Sequence, residues 1–141
     1  MMQAHNLTGI LSAAAAAWIF GAIYYGLLGK AWIAAQGKTL AICKAESAGR
    51  STVAKATPFV LSFIAEIVMA WTLYGILTHM GLFTLRAGAI SGALCWVGFV
   101  LTTIVVNNAY AFRRPMLTVI DAGHWLGALV IIGGIVGYVG A

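Results

Sequence analysis

Three ionisable side chains, Glu66, Asp121 and His124, lie inside long apolar runs of this 141-residue chain. Asp121 and His124 are three residues apart, so on a helix they share a face. A carboxylate beside an imidazole favours the imidazolium and tunes it as a proton acceptor. With Glu66 supplied by a neighbouring helix, the three would make an acid–histidine–acid group able to hold a proton or a cation. Asn107 and Asn108 approach from the other arm of a tight turn, in LTTIVVNNAYAFRRPMLTVIDAGHW (residues 101–125). Tyr24, Tyr25, Arg113 and Arg114 would line a vestibule leading to this polar intramembrane site. A structural reading stands beside the functional one. Asp121 pairs with Arg113 or Arg114, His124 is a hydrogen-bonded core histidine, Glu66 is a neutral carboxyl between helices, and the asparagines join helices.

The elements that would position these residues are membrane spans. The chain is 62% hydrophobic and 8% charged, whereas a soluble domain carries about 25% charged residues. Crossing a bilayer takes roughly 20 apolar residues. Residues 7–28, 58–80, 87–112 and 116–138 meet that length, after a short polar start over residues 1–6. They predict one all-α domain, an integral membrane four-helix bundle over residues 1–141. The first run lacks a basic start and exceeds the usual signal-peptide core, so it is expected to remain as a helix. Thr57 and Pro58 read as N-cap and first residue of the second span. Residues 30–56 read as one long connection, in which residues 31–35 either continue the first helix as far as Gly37 or lie along the membrane surface, with a short helix expected near residues 39–46.

The net charge of +5 does not indicate nucleic acid, because of where the charges fall. Lys30, Lys38, Lys44, Arg50 and Lys55 lie in the long loop, Arg113 and Arg114 in the last turn, and Arg86 alone on the other side. That bias predicts the two basic connections in the cytoplasm and both termini in the periplasm of a bacterial inner membrane. Small residues recur at Gly9, Ala13, Ala17 and Gly21, and as the pairs Gly88/Gly92, Gly123/Gly127 and Gly133/Gly137. Such ladders let helices approach closely in lipid, within one chain or between chains.

Cys43 and Cys95 fall in a loop and in a span, which argues against a disulfide or a two-cysteine metal site. Nucleophile-elbow and phosphate-loop patterns are absent, and the acid–histidine set has no zinc-motif spacing. No catalytic residue, metal or cofactor is therefore expected.

Three stretches carry a family resemblance: WIFGAIYYGLLGKAW (residues 18–32), EIVMAWTLYGIL (residues 66–77) and WVGFVLTTIVVNNAYAFRRPMLTVIDAGHWLGALVIIGGIVGY (residues 96–138). Together the chain resembles the bacterial membrane-protein family known as domain of unknown function 1761. The resemblance implies a small four-helix membrane protein and no particular activity. The leading expectation is a structural or accessory protein that packs with itself, with membrane lipids or with a larger membrane complex. The alternatives are a homo-oligomeric transport or channel-like protein using Glu66, Asp121 and His124, and a lipid- or cofactor-binding intramembrane protein.

Overall fold

The computed structural model describes residues 4–140; the first three residues of the polar start lie outside the described residues. Five helices follow one another: α1 (Ala4–Ala35), α2 (Leu40–Ala48), α3 (Thr52–Met80), α4 (Leu85–Tyr110) and α5 (Pro115–Val139). Among the described residues, α1, α3, α4 and α5 are long and apolar enough to cross a membrane.

Several boundaries differ from the sequence expectation, each for a local reason. The first span continues through Ala35, because the apolar run carries on beyond Lys30. It stops at Gly37, whose φ of +76° suits glycine and whose N–H donates to Ala34 O at 2.9 Å. The long loop is mostly helix. Thr39 caps α2 by accepting from Ile42 N at 3.4 Å, and only residues 36–39 and 49–51 stay outside helices.

The expected cap at Thr57 and Pro58 is not the start of the second span. Ser51 is the cap, its hydroxyl accepting from Ala54 N at 3.2 Å. Pro58 lies inside α3, and the Thr57 hydroxyl donates to Val53 O at 2.8 Å. α4 starts at Leu85, with Thr84 as its cap, and contains a π-helical turn at Trp96–Leu101 that the sequence did not signal. α5 has its proline at the first position, as expected.

α5 is the helix against which the rest are arranged, packing on α1, α3 and α4. α1 and α5 run antiparallel, Gly9 meeting Val139 near one end and Gly21 meeting His124 further along. α4 and α5 also run antiparallel, at backbone contact. A Cβ built on Gly88 would strike Gly133 O, one on Gly92 would lie 2.8 Å from Leu129 C, and one on Gly133 would lie 2.8 Å from Gly88 C. This is the small-residue packing expected where lipid supplies no hydrophobic drive between helices. The Gly88/Gly92 and Gly133/Gly137 pairs therefore serve a contact within one chain.

A dry core of Ile10, Ala13, Ala17, Ala70, Leu73, Leu77, Ala128, Leu129, Ile132 and Val136 joins α1, α3 and α5. A second cluster, nearer the α4–α5 turn, holds Ala35, Leu117 and Ile120 under Tyr24, Tyr25, Leu28 and Trp32. The same end holds both basic connections: Arg114 Nη1 donates to Ala34 O at 2.9 Å.

Candidate functional site

The polar residues of α5 are held by aromatic residues of α1. Because α1 extends through Ala35, Trp32 lies two turns beyond Tyr25 and on the same face. Both reach Asp121: its Oδ1 accepts from Tyr25 Oη at 2.9 Å and from Trp32 Nε1 at 3.0 Å. Tyr24 Oη donates to Ile120 O at 2.9 Å. Its oxygen lies where a Cβ on Gly123 would be, 2.7 Å away. Asp121 makes no ion pair with Arg113 or Arg114 among the described residues; the ion pair there joins Lys38 to Glu46 at 2.7 Å.

His124, one turn on from Asp121, is 5% exposed. Its ring is stacked on Phe20 at 6.1 Å and approached by Tyr25 at 4.9 Å, Tyr24 at 5.7 Å and Trp125 at 4.8 Å between centroids. Gly21 makes room for it, since a Cβ there would lie 2.7 Å from Nε2. His124 Nδ1 has no hydrogen-bond partner among the described residues. From α4, Trp96 Nε1 donates to Ala122 O at 2.8 Å and closes the other side of this turn of α5. The unit is thus an imidazole boxed by rings beside a carboxylate with two neutral donors. It can hold a proton or orient a dipole, and among the described residues it offers no group of three ligands to a metal.

Glu66 is not part of this unit. Trp18 Nε1 donates to Phe59 O at 3.1 Å and Ser62 Oγ at 3.2 Å, and Asn6 Nδ2 donates to Tyr74 Oη. That antiparallel register sets Glu66 level with Ala13 and Ala14, whereas His124 lies against Gly21. The two are roughly two helical turns apart, about 12 Å along the helices. The equal depth expected from sequence came from the misplaced start of α3. Counted from Thr52, Glu66 lies roughly 21 Å along its helix, against roughly 13 Å for His124 from Pro115.

The remaining sequence candidates divide. Asn108 Nδ2 donates to Thr118 Oγ1 at 3.0 Å and ties the ends of α4 and α5. Asn107 is exposed on the outer side. Tyr24, Tyr25 and Arg114 direct their polar groups to neighbours already named, and Arg113 is exposed at the turn. The tetrad Gly9, Ala13, Ala17 and Gly21 is buried along α1. Gly127 receives the Phe20 ring, 2.6 Å from where a Cβ would place its carbon. Sequence reasoning missed Phe20, Trp32 and Trp96. The seven-residue spacing of Tyr25 and Trp32 was the available signal. A groove of about 340 Å³ between α4 and α5, lined by Leu85, Ala89, Val130, Gly134, Ile135 and Tyr138, lies away from the polar unit.

Four helices of spanning length, apolar on their outer faces and closed on polar groups within, have the make-up of a multi-pass membrane protein. The chain belongs to the family described as protein of unknown function (DUF1761), whose sequence profile matches residues 8–137. No curated protein and no solved structure matches it.

Proposed function

We propose that this protein is a structural or accessory component of a bacterial inner membrane, packing with copies of itself or with a larger membrane complex. One observation carries the reading: between residues 59 and 71, α3 turns a run of large apolar side chains outward, a surface that lipid or another protein chain would cover. Phe59, Val60, Leu61, Ile64, Val68 and Trp71 are each at least half exposed. The inner faces of α4 and α5 meet at backbone, and Asp121 is satisfied by Tyr25 and Trp32, which leaves little for a passage through a single chain. The transport alternative loses its three-residue site through the separation of Glu66 from Asp121 and His124.

The orientation proposed is both termini periplasmic. The basic residues of the two connections support it, as does their meeting at one end through Arg114 and Ala34. A single cysteine near residue 50 should then resist an impermeant thiol reagent in intact cells; ready labelling would reverse the orientation. The accessory reading is tested by extracting the protein with its surrounding lipid in a polymer disc and weighing the particle by native mass spectrometry. A defined oligomer or a stoichiometric protein partner is expected. Single chains carrying only lipid would overturn it.

A further inference from the structure

We propose that Glu66 is a proton-binding site in its own right, in the middle of the membrane-spanning part and independent of Asp121 and His124. This goes beyond the accessory reading and does not depend on it. Glu66 heads the buried stripe of α3. The stripe continues through Ala70, Leu73 and Leu77 at helical spacing, and on the N-terminal side of Glu66 α3 has no buried residue. The carboxyl therefore sits where α3 leaves the core. Its side chain is 1% exposed, and Oε2 has no hydrogen-bond partner among the described residues.

The surroundings decide what it can hold. Its level on α1 is alanine, Ala13, Ala14 and Ala17 all being fully buried. Among the described side chains, the titratable groups on the packed helices are Tyr24, Tyr25 and Lys30 on α1, Lys55, Tyr74 and His79 on α3 itself, Arg86, Cys95 and Tyr110 on α4, and Asp121, His124 and Tyr138 on α5. None of them hydrogen-bonds to Glu66 among the described residues. Lys30 and the other Lys and Arg residues lie near helix ends or in connections. An ionised carboxylate buried without a partner charge or donors is strongly disfavoured, and such a group takes up a proton instead. Among the described residues, no group of three His, Cys, Asp or Glu side chains gathers there to hold a metal ion. The proton is the occupant that fits: the neutral acid forms when the carboxylate binds one proton from water, and release returns that proton with no electron transfer.

Release has a structural consequence. The carboxylate left behind must reach water or a cation. On the N-terminal side of Glu66, Trp18 of α1 is tied to α3 by donating to Phe59 O and Ser62 Oγ.

The test uses the full chain reconstituted in lipid vesicles and treated with dicyclohexylcarbodiimide. This apolar reagent adds across the O–H of a protonated carboxyl within the membrane to give a stable acylurea. Peptide mass mapping is expected to find the adduct on Glu66 at acid pH and to find it lost as pH is raised. Glu66→Gln, checked for helix content by circular dichroism, should remove that adduct. The wild-type map stands alone if the variant misfolds. Absence of a Glu66 adduct from folded protein at acid pH would overturn the proposal, as would labelling that ignores pH. Labelling of Asp121 with the same pH profile would overturn its independence.

Discussion

On one side of α5 the neighbouring helix meets backbone, and on the other it meets rings. Towards α4, Gly133 and Gly137 face Gly88 and Thr84, Gly92 faces Leu129, and a built Cβ would meet carbonyl groups that cannot move aside. Towards α1, Gly123 and Gly127 face Tyr24 and Phe20, and a built Cβ would meet the far ends of side chains. Both sides use glycines four apart, yet the physical uses differ. The α4 side uses them for close approach of two helices. The α1 side uses them as sockets for Tyr24 and Phe20, the aromatic residues that flank His124. A glycine pair in an apolar helix therefore tells where something comes close, but not whether that something is a backbone or a ring.

The sharpest break of this comparison is Gly133→Leu. With Gly88 in the way, the helices must part, and overpacking of this kind costs about 3 kcal/mol or more. Loss of the folded species in a denaturant titration in mild detergent is expected, with Gly133→Ala already clearly destabilised. Gly127→Leu should do less, about 1–3 kcal/mol, because the Phe20 ring can swing away. It should also change the environment of His124, which stacks on that ring, readable as a shifted imidazole resonance. Equal loss in the two variants would erase the distinction between backbone contact and ring socket.

Asp121→Ala comes next. It leaves the Tyr25 hydroxyl and Trp32 indole N–H without their acceptor, at about 1–3 kcal/mol for an orphaned buried group. Asp121→Asn should recover most of this, since an amide oxygen accepts from both. Trp32 fluorescence and thermal stability report the two variants.

The smallest effect concerns pH outside the membrane spans. The hydrogen bond from Lys38 holds the Glu46 carboxyl below its ordinary range, helped by the charges of Lys38 and Arg50. A group whose folded value is lowered contributes stability above its unfolded value and loses it as pH falls through the folded one. α2 should therefore loosen locally below the ordinary glutamate range, seen as faster amide exchange over residues 40–48. Because the pair is exposed, salt should mute the effect. α4 and α5 should be indifferent to it.

The sequence disclosed the spans, the small-residue faces and the shared face of Asp121 and His124, because all three follow from composition and helical period. It did not disclose the start of α3. Thr57–Pro58 is a sound cap by residue type, but the helix is capped at Ser51 instead, whose hydroxyl accepts from Ala54 N. From that one displaced boundary came the grouping of Glu66 with His124. The partners of Asp121 were hidden for a similar reason: ending α1 at residue 28 left Trp32 in the long connection. Arg113 and Arg114 carry the charge that Asp121 seemed to need, but two neutral donors lie nearer.

The π-helical turn at Trp96–Leu101 amounts to one residue more than an α-helix of the same reach would hold. α4 is in effect two helices with different phases, joined by an insertion that the fold has absorbed. Its first half is phased for glycine contact with α5, and its second half for Asn108 to meet Thr118. Deleting Gly98, whose side faces open space, would let the helix close into a uniform α form. Everything after it would then keep its place, with Asn108 still against Thr118, on a chain one residue shorter.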